Sequence, residues 1–167
     1  MKNFMLFLVT ALLYALPATA QNYKGAVGLR LGSPVSVSAK YFLGETTALE
    51  GYIGRRGYTY SSWVTVGLAA QKHKPLNIID EVEGLSYYYG AGVNAYFWSY
   101  KDTYFRDDDT NISYGISGYI GFDYAFEDLP INITLDWVPT FFINSYLGGF
   151  GGRYGSLGVR YIFARGD

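Results

Sequence analysis

From Tyr23 onward, apolar residues recur at every second position, not at the 3.6-residue spacing of a helix face. Val35, Val37, Ala39 and Tyr41 alternate with Ser36, Ser38 and Lys40, and Leu49, Gly51 and Ile53 with Glu50 and Tyr52. Val64, Val66, Leu68 and Ala70 are opposed by Thr65, Gly67, Ala69 and Gln71. The run from Leu85 through Phe97 is opposed by Ser86, Gly90, Gly92 and Asn94, and the run from Ile112 through Phe126 by Ser113, Ser117 and Asp123. Ile131, Ile133, Leu135 and Trp137 face away from Asn132, Thr134 and Asp136; Leu157, Val159, Tyr161 and Phe163 face away from Gly158 and Arg160. With Ala26–Leu31 as the first run, this predicts eight strands joined by Gly-, Pro- and Asp-rich turns. An even number of alternating segments predicts an all-β fold: an eight-stranded antiparallel up-and-down barrel.

Alternation alone does not say which face points inward, because soluble and membrane barrels differ only by exchanging faces. Composition decides it. The chain has 18 Tyr, 11 Phe, 3 Trp and 21 Gly, but only 13 basic and 14 acidic residues among 167. The polar face is mostly Gly, Ser, Thr and Asn, whereas a water-facing surface carries many more Lys and Glu. The aromatics on the apolar face also sort by height. With both termini on one side, that rim collects Tyr41, Tyr87, Tyr89, Tyr124, Phe126, Tyr161 and Phe163. The other rim collects Tyr58, Tyr60, Phe97, Tyr114 and Trp137, with mostly Val, Leu, Ile, Ala and Gly between. Amphipathic rings settle at the two interfaces of a bilayer, so the apolar face is expected to meet lipid and the barrel to be transmembrane. Closure is then required, because an open sheet edge would leave unpaired backbone groups in hydrocarbon.

Met1–Ala20 has the layout of a secretory signal peptide: Lys2, an uncharged apolar run from Phe4 to Ala15, Pro17, and Ala18-Thr19-Ala20 before Gln21. The apolar run is shorter than the roughly 20 residues a spanning helix needs. The expected organisation is a signal peptide over residues 1–20 and one barrel domain over 21–167. The near balance of charge gives no footprint for nucleic acid. Absence of Cys excludes disulfides, thiolate metal sites and thiol nucleophiles, and a single His, His73, argues against His-rich metal sites. No cofactor and no metal are expected.

On these residues the chain resembles the small eight-stranded outer-membrane β-barrel proteins of Gram-negative bacteria. The final strand, Gly158-Val159-Arg160-Tyr161-Ile162-Phe163, looks like the C-terminal signal read by the barrel-assembly machinery, carried by Tyr161 and Phe163; here four further residues follow the aromatic. The resemblance implies a periplasmic N-terminus, short periplasmic turns at Gly44–Thr47 and Glu127–Pro130, and extracellular loops around Tyr100–Asn111 and Thr140–Arg153. The Lys72–Gly84 connection is long for a periplasmic turn. The implied partners are outer-membrane lipid, lipopolysaccharide and, during insertion, the assembly machinery; a monomer is expected.

An eight-stranded barrel has an interior just wide enough for its side chains. The charged positions expected inside it are Arg30, Lys40, Glu50, Arg56, Asp123, Asp136 and Arg160, which must pair with one another because an isolated buried charge costs several kcal/mol. A structural lumen network is the expectation; a proton or ion path is the alternative. Gly90-Ala91-Gly92-Val93-Asn94-Ala95 fits a dinucleotide-binding pattern in form, but lies inside a strand, where Gly90 and Gly92 are expected to make room for side chains across the lumen. Asp107, Asp109 and Asn111 begin a calcium-loop spacing that Ile112 and Gly118 do not complete. His73, placed in the Lys72–Gly84 connection at the inner rim, is a poor candidate for the base of a lipid-modifying enzyme, and no catalytic residue is assigned. Tyr104, Phe105, Arg106, Phe150 and Arg153 are the candidate surface-binding residues, of types that anchor interfaces. The reading is a non-enzymatic outer-membrane barrel, structural or surface-binding. Its alternatives are a lipid-modifying enzyme, a narrow conduit for small apolar molecules, and a soluble secreted ligand-binding barrel.

Overall fold

The computed structural model describes residues 23–57, 61–76, 84–100, 111–143, 149–151 and 155–165. The expected signal peptide therefore lies outside the described residues. Ten strands follow in order: β1 (Gly25–Gly32), β2 (Val35–Phe42), β3 (Thr47–Gly57), β4 (Ser61–Pro75), β5 (Leu85–Tyr100), β6 (Asn111–Ala125), β7 (Ile131–Trp137), β8 (Thr140–Phe142), β9 (Gly149–Gly151) and β10 (Gly155–Ala164). No helix occurs among the described residues.

The strands form one antiparallel sheet, β5-β4-β3-β2-β1-β10-β7-β6, which β5–β6 pairing closes into a barrel. β8 continues the line of β7 along β6: Ile120 faces Trp137, Ser117 faces Thr140, and Gly118 N–H donates to the Pro139 carbonyl between them. The wall is thus eight staves, with β7–β8 and β9–β10 each a single interrupted stave. Pro139, which lacks an N–H, marks the interruption.

Two sequence expectations change here. Part of Thr140–Arg153 is not loop: β8 and β9 extend the wall upward as a hairpin, with Phe141 opposite Phe150. The Lys72–Gly84 connection is also shorter than it reads, because β4 continues to Pro75, opposite Ser86 on β5. Lys72 and Lys74 look like linker residues, but at the barrel rim a long cationic side chain extends from an outward strand position into water.

The two faces are sorted by polarity. Among the described residues, 18 buried side chains are polar or charged against 13 apolar ones, while 29 large apolar side chains are exposed. The exposed set includes Leu29, Val37, Ile53, Val66, Leu68, Val93, Ile116, Ile120, Leu135 and Val159, which girdle the wall. Tyr41, Tyr89, Tyr161 and Phe163 face outward toward one end and Phe97, Tyr114 and Trp137 toward the other; Tyr58 and Tyr60 lie outside the described residues. From Tyr114 to Tyr124 is ten residues along β6. At about 3.3 Å per residue and a tilt of about 40°, that is roughly 25 Å of height, the depth of an outer-membrane apolar band.

The inward glycines do not all act as expected. A Cβ at Gly90 or Gly92 would run into the backbone of β4, so these two allow adjacent strands to approach in a tightly curved wall. Gly67 is the position that makes room for a ring, since a Cβ there would meet Tyr52 and Asn94.

Candidate functional site

The barrel interior is stacked in layers. At the inner end Tyr23, Ala26, Phe42, Ala48, Ala125 and Ile162 pack as an apolar floor. Tyr23 stands edge-on to Phe42, with ring centroids 5.0 Å apart. At the outer end Trp63, Tyr96 and Phe142 pack with Trp98. Strand pleating, which turns every second residue inward, carries the polar and charged side chains into the space between.

That space holds Arg30, Lys40 and Arg160 against Glu50, Asp123 and Asp136, all six buried. Glu50 is the hub. Its Oε1 accepts from Arg160 Nη2 and lies 3.6 Å from Arg30 Nη1. Its Oε2 accepts from Gln71 Nε2 at 2.7 Å and lies 3.9 Å from Lys40 Nζ. Asp123 accepts from Lys40 Nζ at 3.1 Å, Tyr23 Oη at 2.9 Å and Asn132 Nδ2 at 2.6 Å. Asp136 accepts from Arg30 Nη2 at 2.9 and 3.1 Å, Tyr88 Oη at 2.6 Å and Ser156 Oγ at 2.6 Å. Arg160 also donates to Ser38 Oγ at 2.9 Å and Thr134 Oγ1 at 2.8 Å. Three positive and three negative groups cancel, and each carboxylate accepts several hydrogen bonds. These are the conditions under which buried charge is tolerated.

The structure thus brings together six of the seven charged residues assigned to the lumen. The seventh, Arg56, is half-buried at the outer end, with its guanidinium 5.9 Å from the Trp63 ring centroid. Sequence reasoning left out the neutral partners Tyr23, Ser38, Gln71, Tyr88, Asn132, Thr134 and Ser156. All except Tyr23, which precedes β1, fall on the inward side of the two-residue alternation of their strands: Ser38, Asn132, Thr134 and Ser156 in phase with an inward charge, and Gln71 and Tyr88 in phase with the polar or small residues of β4 and β5; that phase was the available signal.

His73 requires a correction. It is not in a connection but inside the lumen on β4, fully buried, stacked on Tyr88 at 4.8 Å and edge-on to Phe42 at 4.8 Å. Its Nε2 lies 3.4 Å from Gln71 Oε1, Nδ1 has no hydrogen-bond partner, and Asp123 is 3.9 Å away. A general base must reach its nucleophile's proton within hydrogen-bond distance, and no serine hydroxyl bonds to this ring among the described residues.

Of the surface candidates, Phe150 is described: it projects from β9, 70% exposed. Tyr104, Phe105, Arg106 and Arg153 lie outside the described residues, as do Asp107 and Asp109. Tyr161 and Phe163 project outward from β10 near the inner end. Asn132, whose sequence context has the form of a glycosylation site, is completely buried.

No family model matches the chain, and no curated protein matches it by sequence. Among solved structures, the N-terminal β-barrel domain of Pseudomonas aeruginosa OprF superposes with a TM-score of 0.58 at 16% identity, covering 82% of this chain and 93% of that one. Neisserial surface protein A superposes equally well, with a TM-score of 0.58 at 16% identity, covering 83% of this chain and 93% of that one. At this identity the likeness concerns architecture, and with the closed strand order it settles that: the chain has the eight-stranded antiparallel barrel fold of small outer-membrane barrel proteins.

Proposed function

We propose that this protein is a non-enzymatic integral barrel of a Gram-negative outer membrane, exported by its N-terminal signal peptide, that supports the membrane and presents its outer loops as a binding surface. One observation carries the reading: the molecule is inverted relative to a soluble barrel, with a charge-paired interior and an apolar exterior bounded by aromatics. In water, the 29 large apolar side chains exposed among the described residues would drive aggregation. In a bilayer the same wall is the stable one.

The non-enzymatic part of the proposal is supported by the position of the single histidine, buried and stacked on Tyr88 inside the lumen. A structural rather than conducting lumen is supported by the apolar floor and the six paired charges above it. Tyr161 and Phe163, on the outward face of the last strand, fit recognition by the assembly machinery. Lipid and lipopolysaccharide are the partners expected of the wall, and nothing in the reading calls for a second copy of the chain.

Cell fractionation with gel electrophoresis tests it. The protein is expected in the outer-membrane fraction, extractable only with detergent, and to migrate differently before and after boiling. Recovery from the periplasmic supernatant without detergent would establish the soluble ligand-binding barrel instead. A change in lipid A mass profile that depends on His73 would establish the enzyme.

A further inference from the structure

Beside the outer aromatic cluster the lumen is not completely filled. A cleft open to solvent, with enclosed room for about two water molecules, lies above the charge network, lined by Arg30, Ser36, Tyr52, Tyr96, Thr140 and Ser156 together with the Ser33-Pro34 turn, Val138 and Gly155. Its lining comes from six of the eight staves, at the end of the barrel opposite the apolar floor.

The chemistry of this lining is one-sided. Arg30 is its only charged member; Glu50 and Asp136 pair with Arg30 but do not line the cavity. The acceptors nearby are already engaged. Ser156 Oγ accepts from Arg30 Nε at 3.0 Å and donates to Asp136, Thr140 Oγ1 shares a hydrogen bond with Ser117 at 2.6 Å, and the Tyr52 hydroxyl is bonded to Asn94 and Tyr119. Unused donor capacity remains. Arg30 Nη1 makes no hydrogen bond among the described residues, with Glu50 3.6 Å away, and Ser36 Oγ makes none either. These two residues are directly paired across β1 and β2, so their side chains stand side by side on the inward face. The guanidinium carbon lies over the Tyr52 ring, 4.9 Å from its centroid, and the group is anchored by Asp136. A rigid guanidinium edge beside a free hydroxyl, with no carboxylate in the lining, is an arrangement that accepts oxygen ligands.

We infer that this cavity binds a single oxyanion group, carboxylate or phosphate, on a water-soluble ligand entering from the outer mouth. The side chains lining it belong to the inward face or the turn above, not to the apolar wall, so the ligand arrives from solution and not from the bilayer. Arg30 Nη1 and Ser36 Oγ donate to the oxyanion, and Tyr52 and Tyr96 flank what it is attached to. Because Arg30 is shared with two carboxylates, binding is weak, with a Kd on the order of 1 mM.

The test is a titration of the full chain, isotopically labelled and refolded in an uncharged alkyl-polyoxyethylene detergent, with inorganic phosphate and separately with acetate at constant ionic strength. Amide shifts are followed by nuclear magnetic resonance. Saturable shifts confined to residues 33–36, 138–140 and 155–156 are expected with at least one anion, and the tighter of the two gives the ligand's class. Ser36→Ala leaves the ion-pair network intact and is expected to weaken binding about five- to tenfold, and Ser36→Phe to abolish it by filling the mouth. Arg30→Lys keeps the charge but loses the planar edge, and is expected to weaken binding at least as much as Ser36→Ala. Shifts linear in both anions, scattered over the barrel, or unchanged by Ser36→Phe would overturn the assignment. Binding measured in detergent is independent of which membrane the barrel occupies, so this result and the fractionation result can fail separately.

Discussion

Glu50→Gln isolates the contribution of charge to the lumen. The substitution keeps the side chain's shape and one carbonyl acceptor, and changes the buried balance from three against three to three against two. Lys40 retains Asp123 at 3.1 Å and Arg30 retains Asp136 at 2.9 Å, so the uncompensated charge is left on Arg160, whose remaining partners are the neutral Ser38, Thr134 and Asn132. At an effective dielectric constant of about 20, a pair 3.6–3.9 Å apart is worth about 4–5 kcal/mol, and Glu50 has two such neighbours besides Arg160. Removing its charge also recovers the cost of desolvating it, which offsets much of that sum. The expected net loss is about 3–5 kcal/mol, the range for breaking a buried ion pair from one side. Equilibrium unfolding in urea, with the barrel in detergent or lipid vesicles and followed by tryptophan fluorescence, measures it. The double variant Glu50→Gln with Arg160→Met restores two against two, leaving Arg30–Asp136 and Lys40–Asp123 intact. It is therefore expected to be no less stable than Glu50→Gln alone, a coupling of about 3 kcal/mol or more. A single variant within about 1 kcal/mol of the parent, or a strictly additive double, would refute the account of the lumen as a charge-balanced unit.

Three further outcomes follow from the same geometry. Val66→Arg, at mid-height on the outer wall, is expected to destabilise the barrel in lipid vesicles by about 2–4 kcal/mol, and Tyr41→Arg at the rim by about 1 kcal/mol or less; equal costs, read from urea midpoints, would remove the bilayer from the argument. Gly158→Ala places a methyl against Thr134 and the Arg160 guanidinium and is expected to cost about 1–3 kcal/mol, whereas Gly51→Ala meets nothing within 4 Å and is expected to be neutral or stabilising, both read by thermal unfolding. His73→Ala is expected to leave the lipid A mass profile of the cell unchanged, while lowering the melting temperature through the cavity left between Tyr88 and Phe42.

The architecture was legible because a barrel writes its faces into the chain at period two. Lys40, Glu50 and Arg160 could be assigned inward from their neighbours alone, since Val37, Tyr41, Leu49, Val159 and Tyr161 could not share their face. Their pairing followed from the cost of leaving them alone. The same phase would have placed His73 inside, beyond Gln71, but Lys72-His73-Lys74-Pro75 has three features of a linker: charge, polarity and proline. What overrides them is position, for at the rim outward lysines reach water and a terminal proline gives up one ladder bond. The roles of the glycines were less legible. Gly67 and Gly90 are alike in sequence, yet one accommodates Tyr52 and the other the backbone of β4, because curvature and cross-lumen packing are properties of the closed barrel. The outer cavity was not legible either, since it depends on which inward hydroxyls have spent their hydrogen bonds on one another.

Buried ion clusters are not an efficient way to stabilise a protein, and well-packed apolar side chains of similar size often do better. The lumen charges have a second consequence that apolar replacements would lack. With both faces apolar, nothing would distinguish the correct strand register from one shifted by a single residue, which turns every side chain to the other face. Here such a slip in β2, β3 or β10 would move Lys40, Glu50 or Arg160 from its partners onto the outer wall. A charge displaced onto the apolar wall costs up to about 2–4 kcal/mol, less toward the rim where Lys40 adjoins Tyr41, and the partner left behind adds its own penalty of several kcal/mol. The wrong register is thus disfavoured by more than the network needs to contribute to the right one. On the bilayer reading, the paired charges therefore act first as an instruction about which face is inside, and their strength as a structural plug follows from satisfying it.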